Sequence, residues 1–150
     1  MATKFFEKLS NHYLELLYDK EDFNVIIKIA ESSNTRIFQA HSNILRYRSL
    51  YFRNKLAKIC KDNNNIKTIN LNHITTEQFE VIIKYIYGGV ILQQDAPFIF
   101  DLLIAANEFL LEELTTFLEK YLIEEKSHWL RLHFTQIYQK SFQNNQFKNL

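Results

Sequence analysis

The chain has 150 residues, 47% of them hydrophobic, and its 18 basic and 17 acidic residues leave a formal net charge of +1. At this length roughly 70% of the unfolded surface is buried on folding without staples. The charge balance supplies no overall pull toward nucleic acid or an anionic membrane, and the single cysteine excludes an intrachain disulfide or a multi-cysteine zinc site.

The opening MATKFFEKLSNHY is interrupted by Lys4, Glu7 and Lys8 and does not read as a signal peptide. No apolar run nears the roughly 20 residues that a bilayer span needs. A soluble chain in a reducing compartment is expected, cytoplasmic and/or nuclear. From Phe5 to about Tyr18 the apolar residues Phe5, Phe6, Leu9, Tyr13, Leu16 and Leu17 recur at helical spacing. NVIIKIA (24–30) and TRIFQA (35–40) read as two strands joined by the polar turn ESSN, a hairpin. Helical spacing resumes from Ser42 to Lys58 as two short helices meeting near Tyr47–Ser49, and the polar KDNNN (61–65) ends it. IKTINL (66–71) alternates as a third strand.

Thr75 or Thr76 is placed to cap a helix through FEVIIKYIY, which Gly88-Gly89 stops. VIL (90–92) is a short strand candidate. Pro97 fits the first turn of the helix PFIFDLLIAANEF. LLEELTTFLEKYLIEE continues as a second helix, and SHWLRLHFTQIYQKSF as one more, with Ser127 as its expected cap. The order is that of a small α+β domain with a helical tail. The polar end QNNQFKNL does not read as a domain end, so a longer protein is expected.

Candidate chemistry is sparse. His128 and His133 are five apart, about 500° round a helix, whereas a metal-binding pair needs three or four. Cys60, between Lys58 and Lys61, is a candidate nucleophile only if a distant histidine joins it, and a small packing residue is the plainer reading. Two adjacent glycines supply neither a phosphate loop nor a dinucleotide fingerprint. No catalytic residue, cofactor or metal is therefore assigned. The basic run Arg46, Arg48, Arg53, Lys55, Lys58 and Lys61 fits either a nucleic-acid-binding helix or the wet face of an ordinary one. The wet face is the reading preferred.

Taken in order, FNVIIKIA, IFQAHSNIL, SLYFRNKL, INLNHITTEQFEVIIKYIYGG and DLLIAANEFLLEEL resemble the BTB (POZ) domain over roughly Phe23–Leu122. The most specific pieces are Ala40-His41 followed by Ile44 and Leu45, then Ser49, Tyr51, Phe52 and Arg53. Tyr87-Gly88-Gly89 stands where the family usually has Tyr-Thr-Gly. The resemblance implies the BTB/POZ fold, a small three-stranded sheet flanked by a cluster of helices plus a C-terminal helical extension. It implies an N-terminal dimerisation helix at 1–21, a BTB/POZ core at 22–125 and the start of a BACK-like helical region at 126–150.

Such domains are non-catalytic interaction modules. Many form homodimers through the first helix, and many link a substrate to a cullin scaffold of a ubiquitin ligase. The resemblance makes Phe5, Phe6, Leu9, Tyr13, Leu16 and Leu17 the candidate dimer face, with a helix lying on its own core as the alternative. His41 becomes a buried strand–helix junction residue that fixes its corner by hydrogen bonds. Tyr51 and Phe52 become core or near-core packing. Cys60, Lys61 and Asp62 align with a hydrophobic-x-Glu element that contacts cullins, and Tyr87 with a tyrosine that commonly faces one.

Two departures bear on these roles. A thiol at Cys60 replaces a larger side chain, and Asp62 is one methylene shorter than the family's glutamate. Losing two or three buried methylenes costs on the order of 2 kcal/mol, or about thirtyfold weaker binding without abolishing it. Asn24 and Ser42 stand where transcription-factor members carry an aspartate and a basic residue. The joint loss is physically coherent, because a lone buried charge is costly, and it points toward the adaptor branch. The expected partners are a second copy, a cullin scaffold and a substrate protein. The rival readings are a scaffold module without cullin binding and, more weakly, a nucleic-acid-associated regulator.

Overall fold

The computed structural model describes residues 4, 6–31, 34–91 and 94–144, with side chains through residue 141. The chain forms two compact units, Met1–Leu92 and Gln93–Leu150.

The first unit begins with helix α1 (Phe6–Tyr18), followed by the hairpin β1 (Val25–Ala30) and β2 (Thr35–Ala40). Helices α2 (Ser42–Arg48) and α3 (Leu50–Lys58) lead to β3 (Lys67–Leu71), and α4 (Thr76–Gly88) closes the unit. The sheet order is β2-β1-β3, with β1 antiparallel to β2 and parallel to β3. A parallel neighbour requires a crossover of a dozen residues or more, and α2 with α3 supplies it. The alternation in β1 sends Val25, Ile27 and Ile29 into the core, where Leu45, Phe52, Leu56, Ile69, Phe79, Ile82 and Ile86 are also buried. This is an α+β fold with the small mixed sheet at its centre.

Local chemistry explains the helix boundaries. Ser49 interrupts the helix pair in an extended conformation, and its Oγ accepts the Phe52 N–H, starting α3. Thr75 and Gln78 form a reciprocal capping box at the start of α4. Gly89 ends α4 in the left-handed region (φ 65°).

The second unit contains α5 (Ala96–Glu108), α6 (Glu112–Glu125), α7 (Ser127–Leu132) and α8 (Phe134–Asn144). Asp95 caps α5 through the Phe98 N–H, with Pro97 in the first turn. Leu110 turns the chain between α5 and α6 at φ 54°, while the Leu111 and Leu110 N–H groups donate to the Ala106 and Asn107 carbonyls. That pairing is a Schellman stop built without glycine.

Three expectations are corrected. Val90 and Ile91 form no strand, and Leu92 lies outside the described residues. So short a run cannot hold a strand without a ladder partner. Ser127 is the first residue of α7, not its cap, and Lys126 precedes it with no side-chain cap bond. The single helix expected from Ser127 breaks at His133, whose ring stacks on Trp129 and whose Nδ1 lies 2.9 Å from the Trp129 carbonyl.

Candidate functional site

His41 ends β2 and begins α2, and it is nearly buried at 7% exposure. Its backbone N–H donates to the Tyr87 hydroxyl (2.8 Å), and its Nδ1 lies 2.9 Å from the same oxygen. The Glu21 carbonyl, 3.4 Å from Nε2, can only accept, so in the neutral ring Nε2 carries the proton and Nδ1 accepts from the Tyr87 hydroxyl. Tyr87, which the resemblance turned toward a partner, is instead 5% exposed and spends its hydroxyl on this corner. Burial pushes its pKa up to about 12, opposed by the His41 N–H bond. The Tyr87 phenol therefore keeps its proton near neutrality. Arg48 adds a second tie, its Nε donating to the Ile86 carbonyl and its guanidinium lying over the Tyr85 ring.

The next residue along, Gly88, serves α1. The Ser10 hydroxyl donates to the Gly88 carbonyl, and a Cβ built at 88 would lie 2.6 Å from Leu14 Cγ. Only glycine at 88 lets the two helices approach this closely, so Ser10 and Leu14 form the docked side of α1. Neither belongs to the stripe read from the sequence, because periodicity marks apolar residues without saying which of them faces a neighbour. Of that stripe, Phe6 (65% exposed), Leu9 (50%) and Tyr13 (36%) remain on the surface. Leu16 and Leu17 are half-buried, and Phe5 lies outside the described residues. No α1 side chain is buried. The helix thus presents an apolar outer face.

The segment after α3 forms a second surface. Cys60, Lys61 and Asp62 are all exposed. One oxygen of the Asp62 carboxylate accepts the Asn64 and Ile66 N–H groups, both at 2.9 Å. The Asp62 N–H donates to the Ile66 carbonyl, and the Asn65 N–H donates to the Asp62 carbonyl with Asn65 at φ 66°. Asp62 therefore organises a tight turn, with its second oxygen left over. On α3 Phe52 is buried, and half-buried Tyr51 meets its ring edge-on at 5.3 Å. Lys55 lies over Tyr51 and Arg53 over Tyr47, so part of the basic run covers aromatic faces. Asn24 and Ser42 bond reciprocally, the Asn24 side-chain Nδ2 donating to the Ser42 hydroxyl and the Ser42 N–H donating to the Asn24 Oδ1. Uncharged residues at both positions satisfy one another. Among the described residues no three metal-ligating side chains converge.

What the arrangement offers is surface: an apolar helix face and an ordered exposed turn. The BTB/POZ domain family model matches residues 14–126. Among solved structures, the BTB domain of human gigaxonin is 24% identical, with a TM-score of 0.62 over 81% of this chain and 96% of that one. The BTB domain of zebrafish PATZ1 is 17% identical, with a TM-score of 0.62 over 83% of this chain and 98% of that one. At these identities the two structures establish a shared fold, and the family match over most of the chain establishes membership. The chain belongs to the BTB/POZ family of protein-interaction domains.

Proposed function

We propose that the chain is a homodimerising adaptor that links a substrate protein to a cullin-type ubiquitin ligase, without chemistry of its own. The observation that carries the dimer is the outer face of α1. Phe6, Leu9 and Tyr13 lie exposed along one flank of a helix whose adjoining flank is docked through Ser10 and Leu14. A contiguous aromatic-aliphatic stripe of this kind is the natural seat of a partner helix. The cullin assignment rests on the exposed turn at Cys60–Asp62, held in one shape by its own backbone bonds. Exposed Leu132, Phe134 and Tyr138 on α7 and α8 support a BACK-like region that packs on further helices.

The test is a calorimetric titration with a cullin N-terminal domain, using Asp62→Asn as the probe variant. Asparagine keeps the oxygen that accepts the Asn64 and Ile66 N–H groups and removes only the charge. Binding in the micromolar range that weakens about tenfold in the variant supports the adaptor. No heat from a folded, dimeric chain leaves a self-association scaffold without cullin binding. That second reading is favoured by the burial of Tyr87 and by the carboxylate oxygen that Asp62 commits to its own turn.

A further inference from the structure

Strand β2 is the outer strand of the sheet, pairing with β1 on one side and with no strand on the other among the described residues. In an antiparallel ladder every second residue turns its N–H and C=O away from its neighbour. β2 therefore carries a row of outward-facing backbone groups. Edges of this kind are normally blunted by lysine, proline or a bulge, or are covered. TRIFQA has neither lysine nor proline, its register with β1 runs through six residue pairs without a bulge, and Ile37 is 56% exposed.

A groove of about 540 Å³ runs along this edge. One wall is β2 from Arg36 to Gln39, and the other is formed by Leu17 and Lys20 near the end of α1 with Ile83 and Lys84 of α4. The floor is apolar, and the rim sets Lys20, Arg36 and Lys84 against one carboxylate, Glu80, leaving a cationic excess. Arg36 has Glu80 for a partner at 4.0 Å, whereas Lys20 and Lys84 have no carboxylate partner among the described residues.

We propose that the free edge of β2 receives an extended acidic-apolar segment of a partner protein as a fourth strand. Its backbone would pair with β2, alternate apolar side chains would enter the groove, and its carboxylates would meet Lys20 and Lys84. A second copy of β2 is a poorer occupant. It brings no carboxylate of its own and would set the same cations against one another. The proposal rests on the protein-interaction reading but needs neither the α1 dimer nor the Cys60–Asp62 turn.

The test uses the full chain and acetylated octapeptides of alternating sequence, Val-Glu or Val-Lys. Fluorescence anisotropy reads affinity, and amide hydrogen exchange reads place. The Val-Glu peptide is expected to bind at least tenfold tighter than Val-Lys, and Lys20→Glu combined with Lys84→Glu to reverse that order. N-methylation of one alternate set of peptide amides should weaken binding at least tenfold, while methylation of the other set is tolerated. On binding, alternate β2 amides should become protected. A Phe6→Glu, Tyr13→Glu variant should bind equally well, which separates this site from the dimer face. Lack of binding at millimolar peptide, indifference to peptide charge, or equal tolerance of both methylation patterns overturns the proposal. So does an oligomer of the free chain that Ile37→Lys disperses, since the edge would then belong to a second copy.

Discussion

Tyr87 and Gly88 are consecutive at the end of α4, yet they hold two different kinds of attachment. Tyr87 reaches the His41 corner, where every polar atom of the contact is satisfied and almost nothing is exposed. Gly88 receives α1 through one hydroxyl and one leucine, and Phe6, Leu9 and Tyr13 of that helix stay exposed. One attachment builds the domain, and the other positions a surface for use. A domain that acts by holding partners needs both, since a docked helix presents its face reproducibly only if its mount does not move.

The sharpest break of this comparison is on the outer face. Phe6→Glu with Tyr13→Glu should raise the dissociation constant of the proposed dimer at least about a hundredfold, some 2.7 kcal/mol, as read by sedimentation. The urea unfolding of the monomer should hardly change, because neither side chain is part of the core. Loss of folding in this variant would mean that the outer face is not free.

At the corner the expected result is reversed. Tyr87→Phe removes the acceptor of a buried N–H and the partner of Nδ1, at a cost of about 1–3 kcal/mol in urea unfolding, with dimer affinity unchanged. The pH dependence has a defined sign. The phenol ionises near 10 when unfolded and near 12 when folded, because burial disfavours the phenolate. The resulting stability is complete below pH 10, declines between pH 10 and 12, and is gone above that. It amounts to something on the order of 2 kcal/mol. Tyr87→Phe should flatten that part of the alkaline unfolding curve.

Much of this was readable in the sequence. The hairpin followed from β-branched runs around a polar turn, the α2–α3 break from Ser49, and the start of α5 from Pro97. What could not be read was direction. The α1 stripe was visible, but Leu14 gave no sign that it is the docking side chain, since its role depends on a glycine 74 positions away. Tyr87 was identifiable as a position of importance, but its partner His41 lies 46 residues off. Asp62 stood in line with an interface residue, while its turn-forming bonds depend on the backbone path of 62–66.

Gly88 tests the close approach. Gly88→Ala places a methyl 2.6 Å from Leu14 Cγ, so α1 or Leu14 must shift, at about 1–3 kcal/mol. Leu14→Ala in the same chain should cost less than the sum of the two single changes, because the collision is gone. A double-mutant cycle reads that coupling directly. Full additivity would mean that α1 already sits away from α4 in solution.

Gly89 gives the smallest effect and serves as the control. A Cβ at 89 meets nothing within 4 Å, but its φ of 65° lies in the left-handed region. Gly89→Ala should therefore cost about 1 kcal/mol, from backbone conformation alone, with no coupling to Leu14. That a side chain is tolerable there follows from the end of α5, where Leu110 makes the same left-handed stop at φ 54°. The two helix ends share a left-handed residue but differ in which residue it is, which is why the glycine stop was legible and the leucine stop was not. If Gly89→Ala did couple to Leu14, the two glycines would act as one hinge, and the close packing assigned to Gly88 alone would have to be shared between them.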